Sequence, residues 1–567
     1  MKISRPEYPR PQFVRDEWIN LNGEWEFEID NGGSGESRGF TKVGYNLKDK
    51  IIVPFCPESK LSGIGYTDFM YGVWYKRTVN LKKVDGKVIL HFGAVDYSCR
   101  VFVNGEEVGK HKGGYVSFSF DITKSVVEGE NEITVFAADD SRDGMIPSGK
   151  QSDKYESYRC MYTRTTGIWQ TVWLEFKPNT YLETVKYFPN ITDGSITIEA
   201  DLCGTADFSC VVSFDGKTMG SYKARSVAGK LIYTINLEEK HLWEVGKGNL
   251  YDVEFTFGDD KVSSYFGLRE VRLDGHKFLI NGKSVFQRLV LDQGYYPDGI
   301  YTAPTDADLV RDINLSLACG FNGARLHEKI FEERFLYHAD KMGYIVWGEY
   351  PDWGLDHTDP LNVYSMLPEW IEEVKRDFNH PAIIGWCPHN ETHNKNGRQQ
   401  YDPGIEMIYN VTKALDTTRP CIDSSGWYHV KTDIFCVHTY EQDPVRFKEN
   451  FDKLMTEGTL YDECWRRQKY NGEATFVSEY GGIKWSSKDG GWGYGNGPAT
   501  IEEFYERFKG LTDALIDNTE MFALCYTQLT DVEQEQNGLY TYEREPKFDC
   551  ERLYKIMSRK AAIEDKE

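Results

Sequence analysis

Two glutamates in this sequence stand where chemistry is done. Glu391 follows the apolar run Ala382-Ile383-Ile384-Gly385-Trp386-Cys387 and the segment Pro388-His389-Asn390. Glu479 closes the run Thr475-Phe476-Val477-Ser478 and precedes Tyr480-Gly481-Gly482. Each run has the length and composition of a buried strand, so each carboxylate falls at a strand end. Paired carboxylates are what cleavage of a glycosidic bond requires. One is kept protonated to donate to the departing oxygen; the other attacks the anomeric carbon or activates water against it. Glu349, in Trp347-Gly348-Glu349-Tyr350, is a third strand-end carboxylate. A lone glutamate of this kind is usually a salt-bridged rim residue. Two of them, set among Asn, Trp, Tyr and Gly, bring an active site level with that reading.

For the two to meet, their strands must converge at one end of a sheet. Apolar runs recur at 284–291, 322–326, 344–349, 382–387, 421–424, 434–438, 475–479 and 521–528, alternating with helical stretches such as 306–319 and 367–378. That rhythm predicts a (β/α)₈ TIM barrel over 273–567, with working residues at the C-terminal strand ends. A doubly wound sheet is the alternative, but no G-x-G-x-x-G opens it. Upstream, short alternating strands at 88–92, 100–103 and 133–136, with an Asn104-Gly105 turn, predict a jelly-roll β-sandwich over 1–180. Residues 181–272 repeat the pattern with shorter strands and predict an immunoglobulin-like sandwich, without the Cys…Trp…Cys signature of antibody domains.

Composition narrows the function classes. A chain of 567 residues is too long for one core. Its formal net charge of −23 argues against nucleic acid as a partner. Mean hydropathy is −0.55 and no apolar run reaches membrane-spanning length, so no membrane partner is expected. The opening residues lack the apolar segment of a secretory signal, and the 12 scattered cysteines form no C-x-x-C pair; together they predict a reduced, cytoplasmic protein. Aromatics are abundant, with 36 Tyr, 31 Phe and 14 Trp. They suit either bulky cores or platforms for sugar rings.

Arg376-Asp377-Phe378-Asn379-His380-Pro381-Ala382-Ile383-Ile384-Gly385-Trp386, followed by Asn390-Glu391, resembles the acid/base signature of glycoside hydrolase family 2. Ser478-Glu479-Tyr480-Gly481 is similar to its nucleophile segment. The strand around Trp25, the stretch from Val103-Asn104-Gly105 to Gly113-Gly114-Tyr115, and Thr166 to Leu174 resemble its N-terminal sugar-binding sandwich. The resemblance implies a retaining exo-β-glycosidase with Glu391 as acid/base and Glu479 as nucleophile. Such a pair sits ~5–5.5 Å apart, so Glu391 is expected protonated at rest and Glu479 ionised. The resemblance further implies that Asn390 donates to the sugar 2-hydroxyl and that Tyr440 touches the nucleophile. No cofactor and no required metal are expected, although Glu349 offers one oxygen ligand, and a homo-oligomer is left open.

Several positions depart from the family pattern where it holds the sugar. Leu291-Asp292-Gln293-Gly294 replaces an Asn-Arg-His-Glu stretch. Arg325 is kept, but His327 falls one step early and Glu328 takes the usual histidine position. Met161 stands where many members carry Asp. The segment 531–539 lacks the lysine with which resembling glucuronidases hold the uronate carboxylate. Asp292, Arg325, His327, Glu349 and Trp353 are therefore candidate sugar contacts, with Arg325 or Lys329 as alternative cations. Trp427, Trp485 and Trp492 lie in loops beside the mouth. Terminal β-galactosides are the leading substrate expectation, β-hexuronides (galacturonides or glucuronides) the first alternative, and a non-catalytic carbohydrate-binding protein the second.

Overall fold

The computed structural model describes residues 3–82, 86–464, 466–486 and 491–566. Its first unit packs a six-stranded antiparallel sheet against a four-stranded one. Alternation within Gly129–Ala138 buries Ile133, Val135 and Ala137 between the sheets, against Trp25, Tyr75, Leu90 and Leu174. The Asn104-Gly105 turn joins Ser98–Val103 to Glu106–Lys112 with both residues at positive φ, the backbone a two-residue hairpin needs. A second sandwich sets the three strands Tyr181–Asn190, Ser195–Cys203 and Gly229–Asn236 against a four-stranded sheet around its own apolar core. Arg15 ties the two sandwiches together through Asp260 and Glu175.

Downstream lies the parallel barrel sheet. Seven strands pair in the order Ile383–Cys387, Ile345–Glu349, Gly323–Leu326, Gln287–Asp292, Ala523–Thr527, Ala474–Gly481, Ile434–His438. The fifth expected strand, at 421–424, is reduced to two parallel bridges, Trp386 with Cys421 and Asn390 with Ser425. Its run is short and ends in Ser424-Ser425-Gly426, whose serine hydroxyls bond Thr392, His438 and Ser478. Helices cover the outside; the helix predicted from 367 begins at Asn362, with Pro368 inside it.

The N-terminal sandwich docks directly on the barrel. Glu369, on the helix Asn362–Asp377, accepts the backbone N–H groups of Tyr115 (2.7 Å) and Val116 (3.2 Å) and the Tyr350 hydroxyl (2.9 Å). Gly113 permits this approach, since a Cβ there would lie 2.8 Å from the Glu369 carboxyl carbon. Around it, Tyr115, Trp169, Tyr301, Tyr295 and Tyr162 pack edge to face or tilted across the junction. Part of the aromatic excess is thus cement between domains.

Glu369→Ala orphans two buried N–H groups and a buried hydroxyl. At about 1–3 kcal/mol for each unsatisfied group, stability falls by roughly 3 kcal/mol or more. Glu369→Gln, which keeps an acceptor, falls less. The first transition in denaturant unfolding measures both.

Candidate active site

At the C-terminal end of the barrel strands the structure brings Glu349 and Glu479 onto one cation, with Glu391 close to Glu479. Arg325 is fully buried on the second strand. It donates to Glu349 Oε2 (2.6 and 3.1 Å), Glu479 Oε1 (3.1 Å), Asn390 Oδ1 (3.0 Å) and the Ser478 carbonyl (2.8 Å). His327 Nδ1 lies 2.8 Å from Glu349 Oε1. Burial works against the Glu349 charge, but Arg325 and His327 outweigh it and hold the carboxyl at about 2. Glu349 is therefore a permanent anion serving Arg325 and His327.

Glu479 is 4% exposed, and both its oxygens are held. Arg325 takes Oε1, and the Tyr440 hydroxyl makes a short bond to Oε2. Burial opposes the charge, yet the imidazoles of His438 and His327 and the guanidinium of Arg325 pull the carboxyl below its ordinary value. Glu391 is less enclosed and has a left-handed backbone, φ 48°. One oxygen of each glutamate lies within 4.8 Å of the other.

His438, the last residue of the sixth strand, stands between them. Its Nδ1 is 2.7 Å from Glu391 Oε1; its Nε2 is 3.0 Å from Ser425 Oγ and 3.5 Å from Glu479 Oε1. Burial lowers the imidazole's affinity, but the two carboxylates outweigh it and raise it. Burial works the other way on Glu391, yet His438, with His393 and Lys150 adding to the effect, pulls its carboxyl below the ordinary range. The 2.7 Å contact therefore favours a charged imidazole beside an ionised Glu391, against the expectation of a carboxyl protonated at rest. His438 is polar at the end of an apolar run, and that was the signal for it.

The other candidates divide. Asn390 is buried; its oxygen is taken by Arg325 and its backbone N–H by Asp352, leaving Nδ2 a buried donor with no partner. Trp353 donates from Nε1 to the Asn390 carbonyl and lines a cleft of about 220 Å³ with Glu391, His357 and His393. Trp427 packs on His393 from the other side. Trp485 instead packs on Phe504 and Phe548. Asp292 turns back on its own loop, accepting the Gly294 N–H (2.9 Å), and makes no contact with Glu391 or Glu479. Lys329 is boxed in, donating to the Gly294 and Tyr301 carbonyls beside the Trp169, Tyr301 and Phe331 rings.

The N-terminal sandwich reaches this site. Ser148 and Gly149 donate to the Trp353 carbonyl, and Lys150 Nζ stands 3.7 Å over the Trp353 ring. The Tyr162 hydroxyl bonds Glu535, and Gln534 donates to the Met161 carbonyl. Met161 and the lysine-free segment 531–539, two departures far apart in sequence, therefore meet face to face. Among the described residues, Glu391, His438 and Glu479 form the group whose atoms could hold a metal ion; a cation there would occupy both carboxylates.

Comparison with known proteins places these features. Models of the glycosyl hydrolases family 2 sugar binding domain and TIM barrel domain match residues 19–178 and 271–482. A Beta-glucuronidase of Paenibacillus borealis is 23% identical, covering 95% of this chain and 96% of its own. A Beta-galactosidase of Thermoanaerobacter pseudethanolicus is 27% identical over 56% of this chain and 44% of its own. A Formosa agariphila relative, 24% identical over 72% of this chain, is matched over 55% of its own length. The solved Beta-glucuronidase of an uncultured Clostridium sp. superposes with TM-score 0.80 at 19% identity, over 98% of this chain and 99% of that one.

A reaction that uses the His438–Glu391 proton is supported fully below the raised imidazole pKa and fails as pH rises through it. The basic limb of kcat/KM therefore lies above the ordinary imidazole value of about 6.5. His438→Gln leaves the proton to Glu391 alone, which moves the basic limb to lower pH and lowers kcat/KM roughly 10- to 100-fold. Paired pH–rate profiles test this; an unmoved basic limb removes His438 from the proton's path.

Proposed function

The chain belongs to glycoside hydrolase family 2, and we propose that it is a retaining exo-β-glycosidase acting on β-linked hexuronides, glucuronides foremost. The observation that carries the mechanism is the close approach of Glu391 and Glu479, within 4.8 Å at their nearest ligand oxygens. Inverting pairs stand ~6.5–9.5 Å apart to admit a water between carboxylate and sugar. The sugar assignment rests on the relatives: β-glucuronidases predominate among them, which favours the uronide alternative over the galactoside expectation. β-Galactosides remain the second reading, supported by the β-galactosidases in the same set.

In this reading Glu479 attacks the anomeric carbon while the glycosidic C–O bond breaks. Arg325 and Tyr440 fix both oxygens of Glu479, so the nucleophile is oriented before substrate arrives. Glu391 relays to the departing oxygen the proton it shares with His438 across their 2.7 Å contact. Asn390 Nδ2, whose amide is set by Arg325 on its oxygen, is free to donate to the 2-hydroxyl, a bond that strengthens in the transition state. The cleft between Trp353 and His393 suits the leaving group. Water then enters, gives its proton to Glu391, and displaces Glu479 from the sugar.

A panel of 4-nitrophenyl β-glycosides read with product NMR tests both layers. We expect kcat/KM for the glucuronide to exceed that for the galactoside, and the β-anomer to form first. A galactoside-only enzyme overturns the sugar; an α-anomer overturns retention. Glu479→Gln is expected to lose at least about 10³-fold in kcat. Glu391→Gln should lose less on the nitrophenyl leaving group than on a poor one, because nitrophenolate needs little protonation.

A further inference from the structure

We propose that Lys150, carried into the barrel mouth by the N-terminal sandwich, is the cation that takes the C6 carboxylate of the substrate and so sets the preference for a uronide over a neutral sugar. The proposal rests on the hexuronide reading above and assigns that carboxylate a partner.

Lys150 is 5% exposed, yet among the described residues its ammonium makes no hydrogen bond and no ion pair within 4.0 Å. Burial opposes its charge, but Cys160, Glu535, Glu328 and Glu479 around it outweigh burial and keep it protonated, so it is a charged donor with no direct partner. It lies over the face of Trp353, whose indole N–H holds the carbonyl of Asn390, the residue before Glu391. Its loop borders the site through Trp353, which bonds the Asn390 carbonyl, and through Tyr162, which bonds Glu535; its charge adds to the downward pull on Glu391.

Four other cationic or imidazole side chains near Lys150 are already engaged. Arg325 is bonded to Glu349, Glu479 and Asn390. His438 serves Glu391, and His327 serves Glu349. Lys329 is fixed on two carbonyls. Of the carboxyls around Lys150, Glu535 and Glu328 are shifted upward by burial, while Glu391 and Glu479 keep their charge but are bonded to His438, Arg325 and Tyr440. Glu535 is further occupied by Tyr162 and Asn537.

The loop is also held rigidly enough to place a charge. The Ser148 and Gly149 N–H groups lock on the Trp353 carbonyl, the Lys150 carbonyl accepts the Tyr162 N–H (2.7 Å), and a Cβ on Gly149 would lie 2.3 Å from the Glu328 carbonyl oxygen. A carboxylate entering beside Glu535 would find one ammonium, pre-positioned and unpaired.

The test compares 4-nitrophenyl β-D-glucuronide with 4-nitrophenyl β-D-glucoside, which differ only at C6, in the full chain and in Lys150→Met. We expect Lys150→Met to lose roughly 10- to 150-fold in kcat/KM on the glucuronide, the range for a hydrogen bond to a charged group, and less than about 3-fold on the glucoside. The inhibition constant of free D-glucuronate should rise by a similar factor. Should Lys150→Met not fold, Lys150→Arg decides. It keeps the charge but displaces it, so the glucuronide KM is expected to rise about 5-fold or more with the glucoside KM unmoved. Equal losses on both glycosides, or an unchanged inhibition constant for D-glucuronate, overturn the proposal alone. A wild-type enzyme that prefers the glucoside overturns the hexuronide reading itself.

Discussion

One buried guanidinium organises the active end of this barrel. Arg325 arises from the second strand and reaches the third, the seventh and the segment after the fourth, so a single side chain cross-braces the mouth. Buried charge is tolerable only when every donor is matched, and here the partners are carboxylates and carbonyls that the chemistry also needs. Glu349 supplies the permanent countercharge, which leaves Glu479 held but not neutralised. Remove either partner and an uncompensated charge remains in the barrel. The geometry of Glu479 is therefore inseparable from the stability of the sheet around it.

The second organising fact is that the bowl is made by two domains. The barrel contributes the carboxylates and their imidazole; the sandwich contributes the loop running from Ser148 to Tyr162, its ammonium and its tyrosine. The aromatic cluster and Glu369 fix the dock between them. The chemistry can thus stay constant while the part that meets the sugar's periphery changes on a separate core.

What the sequence disclosed follows from what is local. Glu391 and Glu479 were visible because each ends a short apolar run, and barrel strands place such ends together. The Asn104-Gly105 hairpin was visible because its backbone demands those residues. The fifth strand was overdrawn because a short apolar run cannot reveal that its serines will bond Thr392, His438 and Ser478. The helix start was set late because Pro368 reads as a first-turn residue, whereas the helix continues a turn upstream of it. Lys150 carried no signal: it lies in a polar loop of another domain, and nothing near it in sequence foretells Trp353 beneath it. Asp292 and Lys329 show the opposite case: each has a suggestive charge near a strand end, and only the fold shows the backbone partners close at hand.

Glu391 occupies a left-handed backbone conformation, which costs a residue with a Cβ about 1–2 kcal/mol relative to glycine. Glycine at 391 would recover that cost while removing the carboxylate, so at this one position the side chain the site holds and the stability of the fold pull in opposite directions.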